Sequence, residues 1–400
     1  MDIVLTGLGL DQPGGVQTYM LAVAPQLERL GHGVTLYAPK LGAMSEVARS
    51  RGLRVARNPH ELPDDCHAVI ASDAVTLLTM ADRYPTSIRI IVVHSAELDL
   101  HLPPGFEGVA SCAVAMNDAV ERRLRAMPNL AEVRRLSQPI DTDRYRMTGL
   151  GSSQPNRVLM LGNYLTGSFK DDLVRVCVDA GLEWHQVGRY GEVLSDAVGA
   201  IRESDIVIGQ GRSVLDAMAC GRAAWVYGPI AGDGWVTEAN YRLLEADGFR
   251  GRATDALVDA TTFQVGLKEY DPEMGQVNRK LITLHHSAYE HAISLIEIIN
   301  ERDPGRRVDA PLQEVARILR TLFEAQAATE MLTRECRSVN ERLSIATHSL
   351  AQLQLEHDHL TEKNARLQHE YQLMSGSRRW KLTSKALTPL QFVRQLRGDR

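Results

Sequence analysis

An α/β fold of two doubly wound units followed by one long helix is what this sequence predicts, on three observations. Apolar runs of strand length alternate with stretches of helical period from the first residues on. A second series of the same kind begins after a loop rich in Gly, Ser and Pro. Beyond residue 315 the period changes to a seven-residue repeat that does not slip.

In the first series, residues 3–5 read as a strand, 16–30 as a helix and 34–37 as a strand, with Val16, Met20, Val23, Leu27 and Leu30 on one helix face. Further strands fall at 68–71, 88–93 and 113–115, and inside 88–93 the only charge is Arg89. Apolar runs without alternation suit parallel strands covered on both faces. The loop at 148–155 closes this unit, which sets a first domain at 1–148. The second series starts with a strand at 157–161 and continues through a helix near 171–180 and strands at 184–187 and 205–208. A helix at 213–220 and a strand at 224–227 follow, and one long helix over 275–299 completes a second domain, 149–300. Pro304 and Pro311 bracket a polar linker at 301–311.

The heptad carries Val315, Leu322, Thr329, Cys336, Leu343, Leu350, His357, Asn364 and Tyr371 at a, and Ile318, Ala325, Leu332, Val339, Ala346, Leu353, Leu360, Leu367 and Met374 at d. All but His357, Asn364 and Tyr371 are apolar or small, which predicts a coiled coil over 312–374, about 90 Å long at 1.5 Å per residue. A single Asn at an a position fixes register in two-stranded coils, so Asn364 points to a parallel homodimer through 315–374. A helical hairpin within one chain is the alternative, although no clear Gly/Pro turn interrupts the repeat.

Composition sets bounds on function. With 44% hydrophobic and 24% charged residues in 400, the chain is globular and larger than one usual domain. The first residues lack the basic stretch and sustained apolar run of a secretory leader, and no apolar run approaches the roughly 20 residues that span a bilayer. Cys66, Cys112, Cys177, Cys220 and Cys336 show no CxxC spacing, which argues against a disulfide framework or thiolate zinc and for a reducing cytoplasm. The formal charge of −5 is uneven: the last 25 residues hold seven Lys/Arg and one Asp, so this end carries +6 and the rest −11. The basic tail, 375–400, places Trp380 and Phe392 among those cations, which suits docking on an anionic membrane at its inner face. Nucleic acid is set aside because the body is acidic and carries no recognisable nucleic-acid module; a disordered solubilising end is the alternative.

Several motifs bear on chemistry. The first strand runs through a glycine-rich turn to Gly14-Gly15 and straight into a helix, leaving backbone N–H groups open to a phosphate or sugar. Its order fits neither the dinucleotide GxGxxG nor the GxxxxGK(S/T) phosphate loop. Arg212 stands at the N-terminus of the 213–220 helix, where a diphosphate would meet backbone N–H groups and a cation. His94 follows the strand at 88–93, and strand C-termini line the crevice in such folds; a satisfied buried histidine is the alternative. His285, His286 and His291 lack accompanying ligands at metal spacing and read as packing or solvated residues. Asp141-Thr-Asp143 matches a metal-binding DxD, but its place between the domains makes this coincidental. Trp235 reads either as a cap on a donor pocket or as a loop anchor.

LDQPGGVQTYMLAVAPQLERLGHGVTLYAP, at 10–39, resembles the opening of retaining GT-B glycosyltransferases of the family-4 group. RRLSQPIDTDRYR resembles their interdomain segment, and RVLMLGNYLTGSFKDDLVRVCVDA the start of their donor domain. SDIVIGQGRSVLDAMACGRAAWVYG resembles their donor loop and the helix beginning LEAMACG. The resemblance covers 1–299 and implies a GT-B fold, a metal-independent glycosyltransferase without cofactor, a nucleotide-diphosphate sugar as donor, a glycan acceptor and retention of configuration. It implies donor contacts at Gly14, Gly15, Gly162, Asn163, Gly209, Gly211, Ser213 and Asp216, with His94, Lys170 and Arg212 as the catalytic set. The family's ribose-binding Glu is Asp216 here, its Arg is Asn163, and Lys170 is displaced from its Lys. The donor loop, Gly209-Gln-Gly-Arg-Ser213, is short and lacks the second acid. These departures leave open a catalytically silent GT-B-like scaffold that dimerises through its coil.

Overall fold

The computed structural model describes residues 1–96, 99–128, 130, 132–194, 196–228, 231–254 and 258–377. The basic tail from 378 on, including Trp380 and Phe392, therefore lies outside the described residues. The chain divides into two compact units, Met1–Leu322 and Phe323–Arg400.

Nine strands and four helices make up the first half: β1 Asp2–Thr6, β2 Gly9–Leu10, α1 Gly15–Arg29, β3 Gly33–Tyr37, β4 Lys40–Leu41, α2 Ala43–Ser50, β5 Arg54–Ala56, β6 Ala68–Ala71, α3 Ala74–Arg83, β7 Ile88–Val93, β8 Cys112–Ala115, α4 Asp118–Arg125 and β9 Val133–Arg135. The second half holds β10 Arg157–Leu161, α5 Ser168–Asp179, β11 Glu183–Val187, α6 Val198–Arg202, β12 Ile206–Gly209, α7 Arg212–Ala219, β13 Ala223–Tyr227, β14 Gly232–Trp235, α8 Tyr241–Asp247, α9 Ala260–Gly266, α10 Glu273–His285 and α11 Ala288–Asn300. A helix of 65 residues, α12 Leu312–Gly376, completes the order.

Seven strands form the first sheet in the order β5-β3-β1-β6-β7-β8-β9, all parallel. The second sheet runs β11-β10-β12-β13-β14, parallel except for its last pair. Both sheets are covered on two faces, by one apolar cluster on each side, as their uninterrupted strand runs require. Strand order reverses beside β1 in one sheet and beside β10 in the other. The crevice at such reversals is where open α/β sheets take ligands, and the loops after β1, β6, β10 and β12 open there.

The single helix expected over 275–299 is two. Ile140 donates its N–H to the His286 carbonyl at 2.7 Å and accepts from the Ala288 N–H at 3.0 Å, which breaks the helical ladder between the two. Ser287 then caps α11, its hydroxyl accepting from the Glu290 N–H. The break turns α11 onto α1, where Ala292, Leu295 and Ile299 join the core beside Ile3 and Leu27.

Residues 301–311 lie along the first sheet instead of swinging free. Arg89, fully buried on β7, donates to the carbonyls of Tyr84, Pro85, Ser87, Gly108, Val109 and Arg306, so a neutral shell of oxygens holds the cation. Leu312 and Ala316, in the first turns of α12, complete an apolar cluster with Tyr84 and Leu124. Burial pushes the Arg89 guanidinium below its usual pKa, without a carboxylate to restore it.

Within its own unit α12 runs unbroken, which the hairpin alternative does not allow. Among the described residues no helix is long and apolar enough to cross a membrane.

Candidate functional site

The C-terminal ends of the two sheets face a cleft of about 320 Å³. Gly15, His94, Met116 and Asn117 line it from the first sheet, and Tyr164, Gln210, Gly211, Arg212, Leu215, Glu245 and Phe249 from the second. Gln138 and His286 close its floor.

On the first side, Gly14 caps α1 and Gly15 is its first residue, where an added Cβ would meet nothing within 4 Å. The space beside the start of α1 is therefore open at Gly15. His94 packs edge-on to Tyr19, with ring centroids 4.9 Å apart, and its Nε2 lies 3.4 Å from the Ser72 hydroxyl. Tyr19 shares a hydrogen bond with His291 Nε2 at 3.2 Å, and His291 Nδ1 meets the Ser137 carbonyl. His286 is held in the same way, between the Tyr241 hydroxyl at 2.8 Å and the Gln138 carbonyl at 2.7 Å. Burial pushes all three imidazoles down, His94 and His286 to about 3 and His291 to about 4, and the charge of Arg212 adds to this at His94 and His286. They are neutral hydrogen-bonding groups across the physiological range.

The second side carries the charge. Gly211, with φ +58°, caps α7 in a conformation that suits glycine, and its N–H donates to the Phe249 carbonyl at 2.8 Å. Gln210 pins the same loop by donating to the Arg250 carbonyl at 2.6 Å. Arg212 donates from Nε to Asp216 at 2.7 Å and from Nη1 to the Pro139 carbonyl at 3.0 Å. Burial works against its charge, but Asp216 and Tyr145 outweigh burial and hold the guanidinium above its usual pKa. Burial raises Asp216 against the pull of Arg212. Across the cleft mouth Arg135 bridges Asp118 at 3.0 Å and Glu245 at 2.5 Å, joining the ends of the two halves.

Of the residues singled out in the sequence, the cleft collects Gly15, His94, Gly211 and Arg212. Gly14, Gly162, Asn163, Gly209, Ser213, Lys170 and Asp216 are not among its lining residues. Asn163 instead accepts from the Arg189 N–H at 3.0 Å, and Gly162 packs so close that a Cβ on Gly188 would meet its carbonyl at 2.2 Å. Lys170 leans over the Trp184 ring, 5.9 Å from its centroid, and lies 3.9 Å from Asp171. Asp216, expected to hold a ribose, is buried and paired with Arg212 at 2.7 Å. The i, i+4 spacing of these two residues on one helix was the available sequence signal. Glu245, Asn117 and Gln138 went unnoticed because no local pattern marks them. Trp235 is a loop anchor: it is buried against Trp225 and donates to the Gly266 carbonyl at 3.0 Å. Asp141 caps the turn at Arg144.

Two doubly wound sheets facing each other across a cleft at their strand C-termini define a GT-B fold. Among solved structures, the chain is similar to Anabaena HepE in complex with UDP and glucose, with a TM-score of 0.53 and 12% identity over 75% of this chain and 99% of that one. The same Anabaena protein in complex with UDP-glucose gives 0.53 and 13% identity over 76% and 100%. At this identity the likeness is one of fold. No protein-family model matches the chain, and no curated protein does.

Proposed function

We propose that this chain is a glycosyltransferase that binds a nucleotide-diphosphate sugar in the cleft and transfers the sugar to a glycan. The observation that carries the reading is the N-terminus of α7, where Gly211 and Arg212 face the same cleft as Gly15 and His94. A diphosphate there meets the positive end of a helix and a guanidinium that stays charged, which is the stabilisation a departing nucleoside diphosphate needs. Asp216 is then a positioning residue, holding Arg212 toward the cleft. His94, neutral and tied to Ser72, hydrogen-bonds the sugar or the acceptor hydroxyl without adding charge. Lys170, over the Trp184 ring, is given no role in this reading. The GT-B neighbour of known ligand holds UDP-glucose, which makes UDP-sugars the first donors to try. Metal-independent chemistry, retention, a growing surface glycan as acceptor, a homodimer through 315–374 and a cytoplasmic enzyme whose tail meets the inner membrane face all belong to the same proposal.

A second reading is favoured by one observation. The acid on α7 is consumed by Arg212 and the loop before it offers no other, which suits a silent scaffold of the same fold. Calorimetric titration with UDP, GDP and their sugar conjugates separates the two. We expect one diphosphate to bind, and Gly15→Phe, whose ring enters the cleft from an open position, to weaken it at least about tenfold without lowering stability. Absence of binding to any of them would leave the scaffold.

A further inference from the structure

Among the described residues, an apolar seam on the second unit is left uncovered. Along α12 the d residues Leu332, Val339, Leu353 and Leu360 and the a residue Leu343 are 58–64% exposed. The seam from Ala325 to Tyr371 extends about 70 Å, and isobutyl and isopropyl groups over that length call for a partner helix.

Resting on the dimer reading above, we propose that the partner is a second copy of this chain running antiparallel, with the twofold axis at residue 348. The argument comes from the residues that flank the seam. In a parallel pair each g residue faces an e residue of the other helix. Here the e positions Asn340, Thr347, Gln354, Thr361 and Gln368 are all uncharged, so a parallel pair leaves every g charge without a counterpart. In an antiparallel pair a faces d, and g faces g. The charged g residues are Glu335, Arg342, Glu356, Lys363 and Glu370, with Ser349 at the centre. About residue 348, Glu335 meets Lys363 of the second copy and Arg342 meets its Glu356, each contact occurring twice by symmetry.

Neighbouring registers fail. A shift of one heptad in one direction sets Glu335 against Glu370 and Arg342 against Lys363; a shift in the other sets Glu335 against Glu356. The centred register avoids every like pair and spans the whole seam, with Ala325 opposite Tyr371 at both ends, and it sets the Asn364 amide against Leu332. Opposite charges at these positions choose orientation and partner, and like charges exclude the alternatives. The parallel arrangement that Asn364 points to would stack that amide on its own copy, a device that fixes register at a cost in stability. The four charged contacts fix register and add to stability.

The test uses full-length protein carrying Leu360→Cys, with its mass measured by light scattering and its thiols joined by a short bis-maleimide. Antiparallel helices bring position 336 of one copy beside position 360 of the other, while parallel helices bring each position beside itself. These positions are 24 residues apart, roughly 36 Å along the helix, so a short linker cannot confuse the two. A dimer whose linked peptides join 336 to 360 is the expected result. A dimer linked 336 to 336 and 360 to 360 overturns the orientation while leaving the dimer standing, and a monomer overturns both. In the cysteine-unmodified chain, Arg342→Glu should raise the dimer Kd about tenfold, and Glu356→Arg added to it should restore the original value. An unchanged Kd in Arg342→Glu also overturns the antiparallel register.

Discussion

The two sheets bury a cation in opposite ways. In the first, Arg89 lies buried near the N-terminal end of β7 and is satisfied by six neutral carbonyls. In the second, Arg212 sits at a strand's C-terminal end and is balanced by a carboxylate one helical turn away. Carbonyls from three separate segments can only converge on a side chain if those segments are already folded, so Arg89 reports on assembly. Arg212 takes its counter-charge from its own helix and adds the Pro139 carbonyl from elsewhere, and it lines the cleft where a ligand can reach it. The difference teaches that burial alone does not mark a functional cation; what surrounds it does.

Arg89→Met probes the first half of this contrast and carries the largest expected effect. It leaves a shell of carbonyls unpaired and should cost about 4–5 kcal/mol in denaturant unfolding. Asp216→Ala comes next: it leaves Arg212 buried without its counter-charge and should cost about 3 kcal/mol, while Asp216→Asn, which keeps the shape and a hydrogen-bond acceptor, costs less. The contrast breaks if Asp216→Ala proves the more damaging of the two.

The smallest effect concerns two buried histidines, one lining the cleft and one behind it. His286 and His291 stay neutral in the fold down to about pH 3 and 4, whereas in the unfolded chain they take up protons near 6.5. Their contribution is complete above 6.5 and is lost as pH falls toward the folded values. Asp73 opposes this. Its buried carboxyl is raised to about 6, so stability is regained as it protonates. Between pH 7 and pH 6 these two histidines should account for a loss of about 1 kcal/mol, measured as the part of the fall in Tm that disappears when both are replaced by Gln. His94, depressed in the same way, and Asp73 set what remains.

The interior strands were legible because an apolar run buried on both faces leaves an unambiguous trace: β6, β7 and β10 fall at 68–71, 88–93 and 157–161, as the sequence predicts. Edge strands such as β5, β9 and β14 left none, since Arg54, Arg134 and Arg135 or the glycines at 232 and 234 break the pattern. The division between α10 and α11 was hidden for another reason. It is imposed by Ile140, nearly 150 positions away, on a stretch whose own period is helical throughout. In the site, the turns before α1 and α7 announced themselves through glycine, and His94 through the strand before it. The commitment of Asp216 to Arg212, and the arrival of Glu245 at the cleft mouth, depend on rotamers and loop paths that no local pattern encodes.

The hydrogen bond from Arg89 to the Arg306 carbonyl has a practical corollary for anyone dissecting the chain. A cut at residue 300, where the last helix of the globular part ends, would remove one of the six oxygens around a buried cation and uncover the patch that Leu312 and Ala316 seal. Such a fragment should be prone to aggregation for reasons unrelated to any lost activity. The boundary between the two units falls after Leu322, within the residues of α12. A truncation placed beyond that boundary keeps Arg306, Leu312 and Ala316 in their contacts, whereas one at the prolines does not.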